Sequence, residues 1–486
     1  LLGYEQVAKR IANIRFDSGK SGQHVKRENV GELHMERSLT EGNSLKQIIW
    51  FAFPLLLGNL FQQLYNLADT VIVGKTLGIN ALASVGASSS LNFLILGFCM
   101  GLCSGFAIPV AQTFGAKHYS AMRGYVMNSA ILAAGVSLGF ALITSVFCRQ
   151  ILILIRTPEN ILDGAYQYLV IIFIGIPFTV LYNLAAAILR ALGDSKSPFI
   201  FLAISTVINI FGDLLCILVL HMGVAGAAVA TITAQAISGI CCLVYMKKRF
   251  RILAASREER RPDGNKMKKL LAMGVPMGLQ FSITAIGSVM LQSAVNSLGS
   301  SIVAAFTAGM KVKQFTMAFF DAIGNTSATF CGQNLGAHRL DRIRKGMRQM
   351  LGIAFAYGIV ASFALIFLGE PMIRIFVDEG ETEVIGYAVQ YLRCMGYFFW
   401  LLAFLITTRS AVQGLGHSAS AMLAGLLEMV ARTSMSLLAI PAFGYLAACF
   451  TDQTAWVAAT TYIMIDYMMI MKKQERLVSE DDGWKK

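Results

Sequence analysis

An all-α polytopic membrane protein, with about twelve transmembrane helices in two pseudo-symmetric six-helix lobes, is the fold class that this sequence predicts. Three observations predict it. The 486 residues are 56% hydrophobic and only 14% charged, where soluble chains carry about 25% charged residues. From Ser44 onward, apolar stretches long enough to cross a hydrocarbon core ~30 Å thick alternate with short polar breaks. The second half of the chain also repeats the first at a near-constant spacing.

Residues 1–44 are polar and lack the apolar core of a secretory signal, so they read as a cytoplasmic tail. The patterned part of the chain starts at Met35, and residues 1–34 are expected to be an extension foreign to the native protein. A native N-terminus well before Met35, read by mass spectrometry, would overturn that expectation. Spans then fall near 45–73, 82–112, 125–147, 161–190, 198–220, 224–246, 267–298, 302–331, 346–368, 384–412, 418–441 and 454–471. Segments this long and apolar must be helices, because in lipid the backbone has to satisfy its own hydrogen bonds. The text from Pro441 to Trp456 is the least regular, and residues 472–486 form a C-terminal tail.

The loop charges alternate. Cations fall at Lys46, at Lys117 and Arg123, at Arg190 and Lys196, from Lys247 to Arg261, from Arg339 to Arg348, and at Lys472 and Lys473. The loop 369–383 holds five acids and only Arg374. The positive-inside rule puts both termini in the cytoplasm, which agrees with an even number of spans. The charged stretch 247–266 divides the helices six and six, giving an N-lobe over 45–246, a cytoplasmic linker over 247–266 and a C-lobe over 267–471. Gln112–Ala116 (QTFGA) matches Gln333–Ala337 (QNLGA), and Leu77-Gly78 matches Leu298-Gly299, both 221 residues apart. Gln167-Tyr168-Leu169 matches Gln390-Tyr391-Leu392, and Leu192-Gly193 matches Leu415-Gly416, both at 223. Two copies of an even-numbered unit run parallel, related by an axis along the membrane normal.

Composition also excludes functions. The excess of 41 Lys and Arg over 28 Asp and Glu, +13 in all, is a cytoplasmic rim that orients the chain, and no nucleic-acid partner follows from it. Most of the nine cysteines sit in apolar runs, and the six histidines have no spacing that makes metal ligands. H-E-x-x-H, paired intramembrane aspartyl, G-x-S-x-G and Walker sequences are all missing, so the sequence predicts neither an enzyme nor a cofactor.

The informative charges are acids inside spans, which cost at least ~2.5 kcal/mol at mid-bilayer and mark function by default. At ~1.5 Å per residue from the outer helix ends, Asp69 lies roughly 7 Å deep, and Asp213 and Thr231 about 10 Å, in one layer. Asn209 precedes Asp213 by one turn and shares its face. Two carboxylates in a partly dry pocket do not both stay ionised cheaply. Either one holds a proton, or a cation such as Na⁺ binds among the carboxylate, amide and hydroxyl oxygens. Aromatic and soft side chains, Phe61, Tyr65 and Tyr182 among them, together with Gln62 and Gln280, are candidates to line a pocket for flat cations.

The runs FPLLLGNLFQQLYNLADTVIVG, NIFGDLL and GVAGAAVATITAQ, with QTFGAK, GQNLGA and ILRALGDSKSP, resemble the multidrug and toxic compound extrusion (MATE) transporters from about Met35 to Lys473. The resemblance implies two six-helix lobes that export cationic, lipophilic compounds in exchange for Na⁺ or H⁺. It makes Pro54, fifteen residues before Asp69, a point where the first helix bends. It carries the family's N-lobe cation site onto Asp69, Asn209, Asp213 and Thr231, with the Ala227 carbonyl as a further ligand. The classical NorM branch has acids in the seventh and tenth spans, where Thr284 and Leu402 stand here, which favours the DinF-like branch. Asp321, in mid-span, either pairs with Lys311 or Lys313 or is an extra substrate-facing acid. Glu428 and Arg432, four residues apart, are expected to neutralise each other, and Asp466 to be solvated near the inner end of its span.

The leading expectation is therefore a secondary antiporter that alternates access by rocking two lobes. It would work as a monomer in the plasma or inner membrane, among lipid, with small cationic substrates. The alternative is a lipid-linked saccharide flippase of the same two-lobe plan.

Overall fold

The computed structural model describes residues 38–155, 157–378 and 380–483; the extension assigned to residues 1–34 lies outside them. In the first half the helices are Ser44–Leu77, Ile79–Gly115, Tyr119–Val146, the pair Glu159–Ile174 and Ile176–Ala191, Lys196–Leu214 and Val224–Arg249. The second half has Gly264–Asn296, Ser300–Gly336, Leu340–Phe367, the pair Thr382–Phe398 and Leu401–Gly414, Ser418–Ser434 and Tyr445–Gly483. Among the described residues nine helices are long and apolar enough to span a membrane, and counting each bent pair as one span raises this to eleven. The remaining long helix, Ser300–Gly336, has 37 residues but carries Lys311, Lys313 and Asp321. The architecture is thus the roughly twelve-helix, two-lobe plan.

Three details differ from the sequence reading. The fourth and tenth spans are not straight: they bend by 49° and 60° at their breaks, the first between Gly175 and a helix that restarts with Pro177 near its N-terminus. The last span starts at Tyr445, well before 454. The irregular text there is a short turn, Ile440–Phe443, opened by Pro441 and ended by Gly444 at φ +61°, a conformation that glycine adopts without strain.

The duplication extends to the backbone. Gly223 and Gly444 share φ +61°, and Gly193 and Gly416 have φ +87° and +90°. The π-helical turns Leu215–Val219 and Met435–Ala439 continue the fifth and eleventh helices, and the short helices Cys148–Leu154 and Gly369–Ile373 follow the third and ninth.

Each lobe has its own core, yet the lead helices cross. Ile48, Phe51 and Leu55 of the first helix pack with Phe306, Phe320 and Trp456 of the second lobe, while Val73 farther along joins Phe106, Phe173 and Leu189 of the first. Leu270 and Val275 of the seventh helix pack into the first lobe's core, and Leu291 and Val295 into the second's. Pro54 and Pro276 lie inside these helices, near where each passes from one core to the other.

The lobes lock together at the end that holds the two Q-x-x-G-A segments. A Cβ on Gly101 or Gly105 would strike the backbone at Met277–Gly278 or Met273–Gly274, and one on Gly115 or Gly336 would strike Gln333 or Gln112. Small residues here permit helix contact at backbone distance. The last carbonyls of a helix lack intrahelical donors, and two of them are capped across the interface. Gln333 Nε2 donates to Ala191 O (2.8 Å), and Gln112 Nε2 donates to Gly414 O (3.1 Å). The segment before the first helix is strapped to the same place: Leu39 N–H donates to Gln333 Oε1 (2.8 Å), and Arg342 donates to the carbonyls of Leu39, Glu41 and Gly42. Between the lobes in sequence, Glu259 of the linker receives both Nε and Nη2 of Arg123 (2.8 and 2.7 Å).

Candidate functional site

The fifth and sixth helices meet through small residues. A Cβ on Gly212 would lie 3.0 Å from Ala230 Cβ, and one on Gly226 3.0 Å from Cys216 Cβ. This close approach lays Asp213, with no exposed surface, beside Thr231 and the equally buried Ala227 one turn earlier. The π turn begins at Leu215, two residues after Asp213; such bulges recur at functional sites.

Asn209 sits one turn before Asp213 and is also buried. With its amide turned so that both ends are satisfied, Nδ2 donates to Asp213 Oδ2 (3.2 Å) and the oxygen accepts from the Thr231 backbone N–H (3.2 Å). The Tyr65 and Thr231 hydroxyls are 3.0 Å apart. Asp69, half-buried on the first helix, lies near enough to Asp213 for the two carboxyls to interact electrostatically. Asp69 Oδ1 and Asp213 Oδ1 are buried with no partner. A proton shared between the carboxyls, or a hard monovalent cation among these oxygens, would satisfy the set.

Asp69, Asn209, Asp213 and Thr231 are therefore brought together, with Tyr65 on their rim, while Ala227 lies buried one turn before Thr231 on the same helix. The structure adds Tyr168, which is buried and close enough to interact electrostatically with Asp69, Tyr65 and Asp213. The Gln-Tyr-Leu repeat marked this residue in the sequence, but nothing in the sequence gave it chemistry.

The wider pocket residues divide. Phe61 packs edge-on against Phe199 at 5.7 Å, and Gln62 and Tyr65 are half-buried on the same helix. Asp321 is exposed on the face of its helix that, one turn on, carries Asn325. Asn325 lines a cavity between the lobes with Arg190, Thr329, Ser410 and Gln413. Tyr182, read as a pocket residue, turns into the first lobe, where its buried hydroxyl donates to Pro198 O (3.2 Å), while the buried Gln280 accepts at Oε1 from Nε2 of the cavity-lining Gln413 (2.8 Å).

The charged residues of the second lobe also correct the sequence reading. Neither lysine pairs with Asp321 among the described residues: Lys313 pairs with Asp452, and the cation that acts on Asp321 is Arg409. Glu428 and Arg432 do pair (3.3 Å), but within a larger network in which Arg409 Nη1 meets Glu428 Oε1 (2.6 Å) and Arg432 Nε meets Asp452 Oδ1 (2.8 Å). Asp466 is only half-exposed, and its Oδ2 is buried without a partner, so simple solvation does not describe it.

A family model described as MatE matches residues 54–215 and again residues 276–438. The chain belongs to the MatE family. It is a multi-pass membrane transporter of the multidrug-efflux class, as the sequence led us to expect, and the two matched segments are the two halves of the duplication. It is 31% identical over 384 residues to the probable multidrug resistance protein YpnP of Bacillus subtilis (strain 168), covering 79% of this chain and 84% of that protein. It is 25% identical over 380 residues to the probable multidrug resistance protein NorM of Thermotoga maritima, covering 77% and 80%. Among solved structures, the fold matches a MATE in complex with MaL6, with a TM-score of 0.84, 20% identity and coverage of 90% of this chain and 99% of that one. It also matches an outward-facing multidrug resistance MATE family transporter of the MOP superfamily, with a TM-score of 0.81, 20% identity and coverage of 91% and 98%.

Proposed function

We propose that this MatE protein is a secondary active antiporter that exports cationic, lipophilic compounds in exchange for Na⁺ or H⁺. The observation that carries the reading is the facing pair Asp69 and Asp213. They are two acids of the first lobe, each with a buried, unpartnered oxygen, ringed by Asn209, Thr231 and Tyr65. A site that needs a proton or cation to be satisfied stores the energy of an ion gradient as differential binding. Substrate would lie in the cleft near Phe61, Gln62, Tyr65 and the exposed Asp321. The lobes, read as 45–246 and 267–471, would rock about the interface closed by Gln112 and Gln333. The cation-rich loops put that closed end and both termini on the cytoplasmic side, and the protein works as a monomer that needs no cofactor.

A lipid-linked saccharide flippase is not favoured. The relatives that this chain matches are named multidrug resistance proteins, and three basic residues of the second lobe, Lys313, Arg409 and Arg432, are engaged by Asp452 and Glu428.

The experiment is efflux of a fluorescent cation from proteoliposomes under separately imposed Na⁺ and H⁺ gradients. Asp69→Asn should abolish gradient-driven efflux at unchanged expression, and Asp213→Asn should shift its Na⁺ or pH dependence. Undiminished efflux in Asp69→Asn, with unchanged ion titration in Asp213→Asn, refutes the reading.

A further inference from the structure

The two lobes carry one chamber with different contents. The turn glycines Gly223 and Gly444, 221 residues apart, equate Thr231 with Asp452 and, one turn on, Gln235 with Trp456. The Gln-Tyr-Leu repeat equates Tyr168 with Tyr391. Gly78 and Gly299, and Gln112 and Gln333, again at 221, equate Asn92 with Lys313. The π turns that start at Leu215 and Met435 bring Arg432 within one residue of the position equivalent to Asp213.

In the first lobe three of these positions, Asp213 Oδ1, Asn92 Oδ1 and Gln235 Oε1, are buried acceptors without a partner, as is Oδ1 of Asp69 across from Asp213. In the second lobe the carboxylate at the same positions has both oxygens partnered, although Arg432 Nη1 is buried without a partner. Lys313 Nζ bonds Asp452 and lies 5.4 Å from the centre of the Trp456 ring. Arg432 Nε donates to Asp452 Oδ1 at 2.8 Å, and the Tyr391 hydroxyl reaches Asp452 Oδ2 at 3.5 Å. Lys313, Arg432 and Asp452 are 7%, 5% and 4% exposed. A buried carboxylate needs a cation beside it, and an ammonium on its own tether outcompetes any free ion for that place through effective concentration.

We infer that the second lobe retains a monovalent-cation chamber of the same plan, permanently filled by the Lys313 ammonium, so that only the first lobe exchanges an ion. The inference rests on the antiporter reading for the first chamber. Lys313, Arg409 and Arg432 balance Asp452, Glu428 and Asp321, so removing Lys313 leaves the cluster one negative charge in excess. The emptied chamber would then accept a small cation such as Na⁺ or ammonium.

The test uses the purified full chain with the first chamber silenced by Asp69→Asn/Asp213→Asn, which removes both of its carboxylates, melted in choline, sodium or ammonium chloride at equal ionic strength. This double variant, which keeps Lys313, should give one Tm in all three salts. Adding Lys313→Ala should lower Tm in choline, and sodium or ammonium should restore at least half of the loss. The restoration should vanish when Asp452→Asn is added. A Tm of Asp69→Asn/Asp213→Asn/Lys313→Ala that is the same in every salt, or a restoration that survives Asp452→Asn, overturns the inference. Should that variant not fold, radiolabelled Na⁺ binding to Asp69→Asn/Asp213→Asn decides: saturable binding removed by Asp452→Asn shows an open second chamber and overturns the proposal, and none is expected. A wild-type chain indifferent to Na⁺ and H⁺, beside a Lys313→Ala chain that gains a cation response, would refute the first-lobe reading and leave this one standing.

Discussion

Replacing Gln333 by alanine should open the closed end of the lobe interface more than replacing its repeat counterpart Gln112. Gln333 is fully buried and serves two backbone groups, donating to Ala191 O and accepting from Leu39 N–H, both at 2.8 Å. Gln112 serves one, Gly414 O, at a longer 3.1 Å. Leaving a buried donor or acceptor unpaired costs about 1–3 kcal/mol. The closed arrangement therefore loses about 2–6 kcal/mol in Gln333→Ala and about 1–3 kcal/mol in Gln112→Ala. At ~1.4 kcal/mol per factor of ten, the closed-to-open ratio falls roughly 30-fold to 10⁴-fold in the first case and roughly 5-fold to 150-fold in the second. Hydrogen exchange of amides 112–118 and 333–339 in detergent reads this, since opening the end exposes these helix ends and turns to solvent. Unchanged exchange in Gln333→Ala, or a larger response in Gln112→Ala, would show that the glutamines do not hold the end shut.

Other predictions follow from the same geometry. Asp321→Asn should leave Tm and ion dependence in place but raise KM for a monocationic fluorescent substrate at least about tenfold, from the ~1.5–3 kcal/mol of one hydrogen bond to a charged group; equal KM values would remove Asp321 from the substrate path. The hydrogen bonds from Arg123, then that from Ser120, hold the Glu259 carboxyl well below the usual carboxylate range. A group with a depressed folded pKa stabilises above its unfolded value, ~4.3, and that stabilisation is lost as pH falls below it. Wild-type Tm should therefore drop on acidification below about pH 4.3, and Glu259→Gln should flatten the drop and speed trypsin cleavage after the exposed Arg257 and Arg260 at neutral pH. Pro54→Ala and Pro276→Ala remove the helix-interior penalty of proline, ~3 kcal/mol, so Tm should hold or rise while transport turnover falls; unchanged turnover would deny these prolines a part in bending.

Much of the fold was legible because lipid allows so few solutions. A chain that must satisfy its backbone internally declares its helices by length and apolarity, and the duplication was visible in loop text such as Gln112–Ala116 and Gln333–Ala337. The breaks in the fourth and tenth spans were not read: Gly175 and Pro177 mark the fourth, but inside an apolar run long enough to cross as one helix. The site was legible in part for a related reason. Asp69, Asn209 and Asp213 stand out against apolar text, whereas Tyr168 looks like any interfacial aromatic until its neighbours are known. Asp321 misled because its helix offers Lys311 and Lys313 nearby in sequence, while the partner that takes Lys313, Asp452, lies 139 residues away. Sequence distance says nothing of which helix faces which, and in the second lobe that facing decides the partners of Lys313 and Arg409.

The crossing of the lead helices has a consequence for how the protein is made. The first lobe's core includes Leu270 of the seventh helix, and the second's includes Ile48, Phe51 and Leu55 of the first. When synthesis reaches the linker, the first six helices have entered the bilayer with one groove unfilled and half of their lead helix unpartnered. Neither copy of the ancestral unit is a self-sufficient folding domain any longer. Fragments divided at the linker should therefore be degraded when expressed singly and survive when expressed together. A duplication that began as two equal modules has become a single assembly unit, in which each half finishes the other.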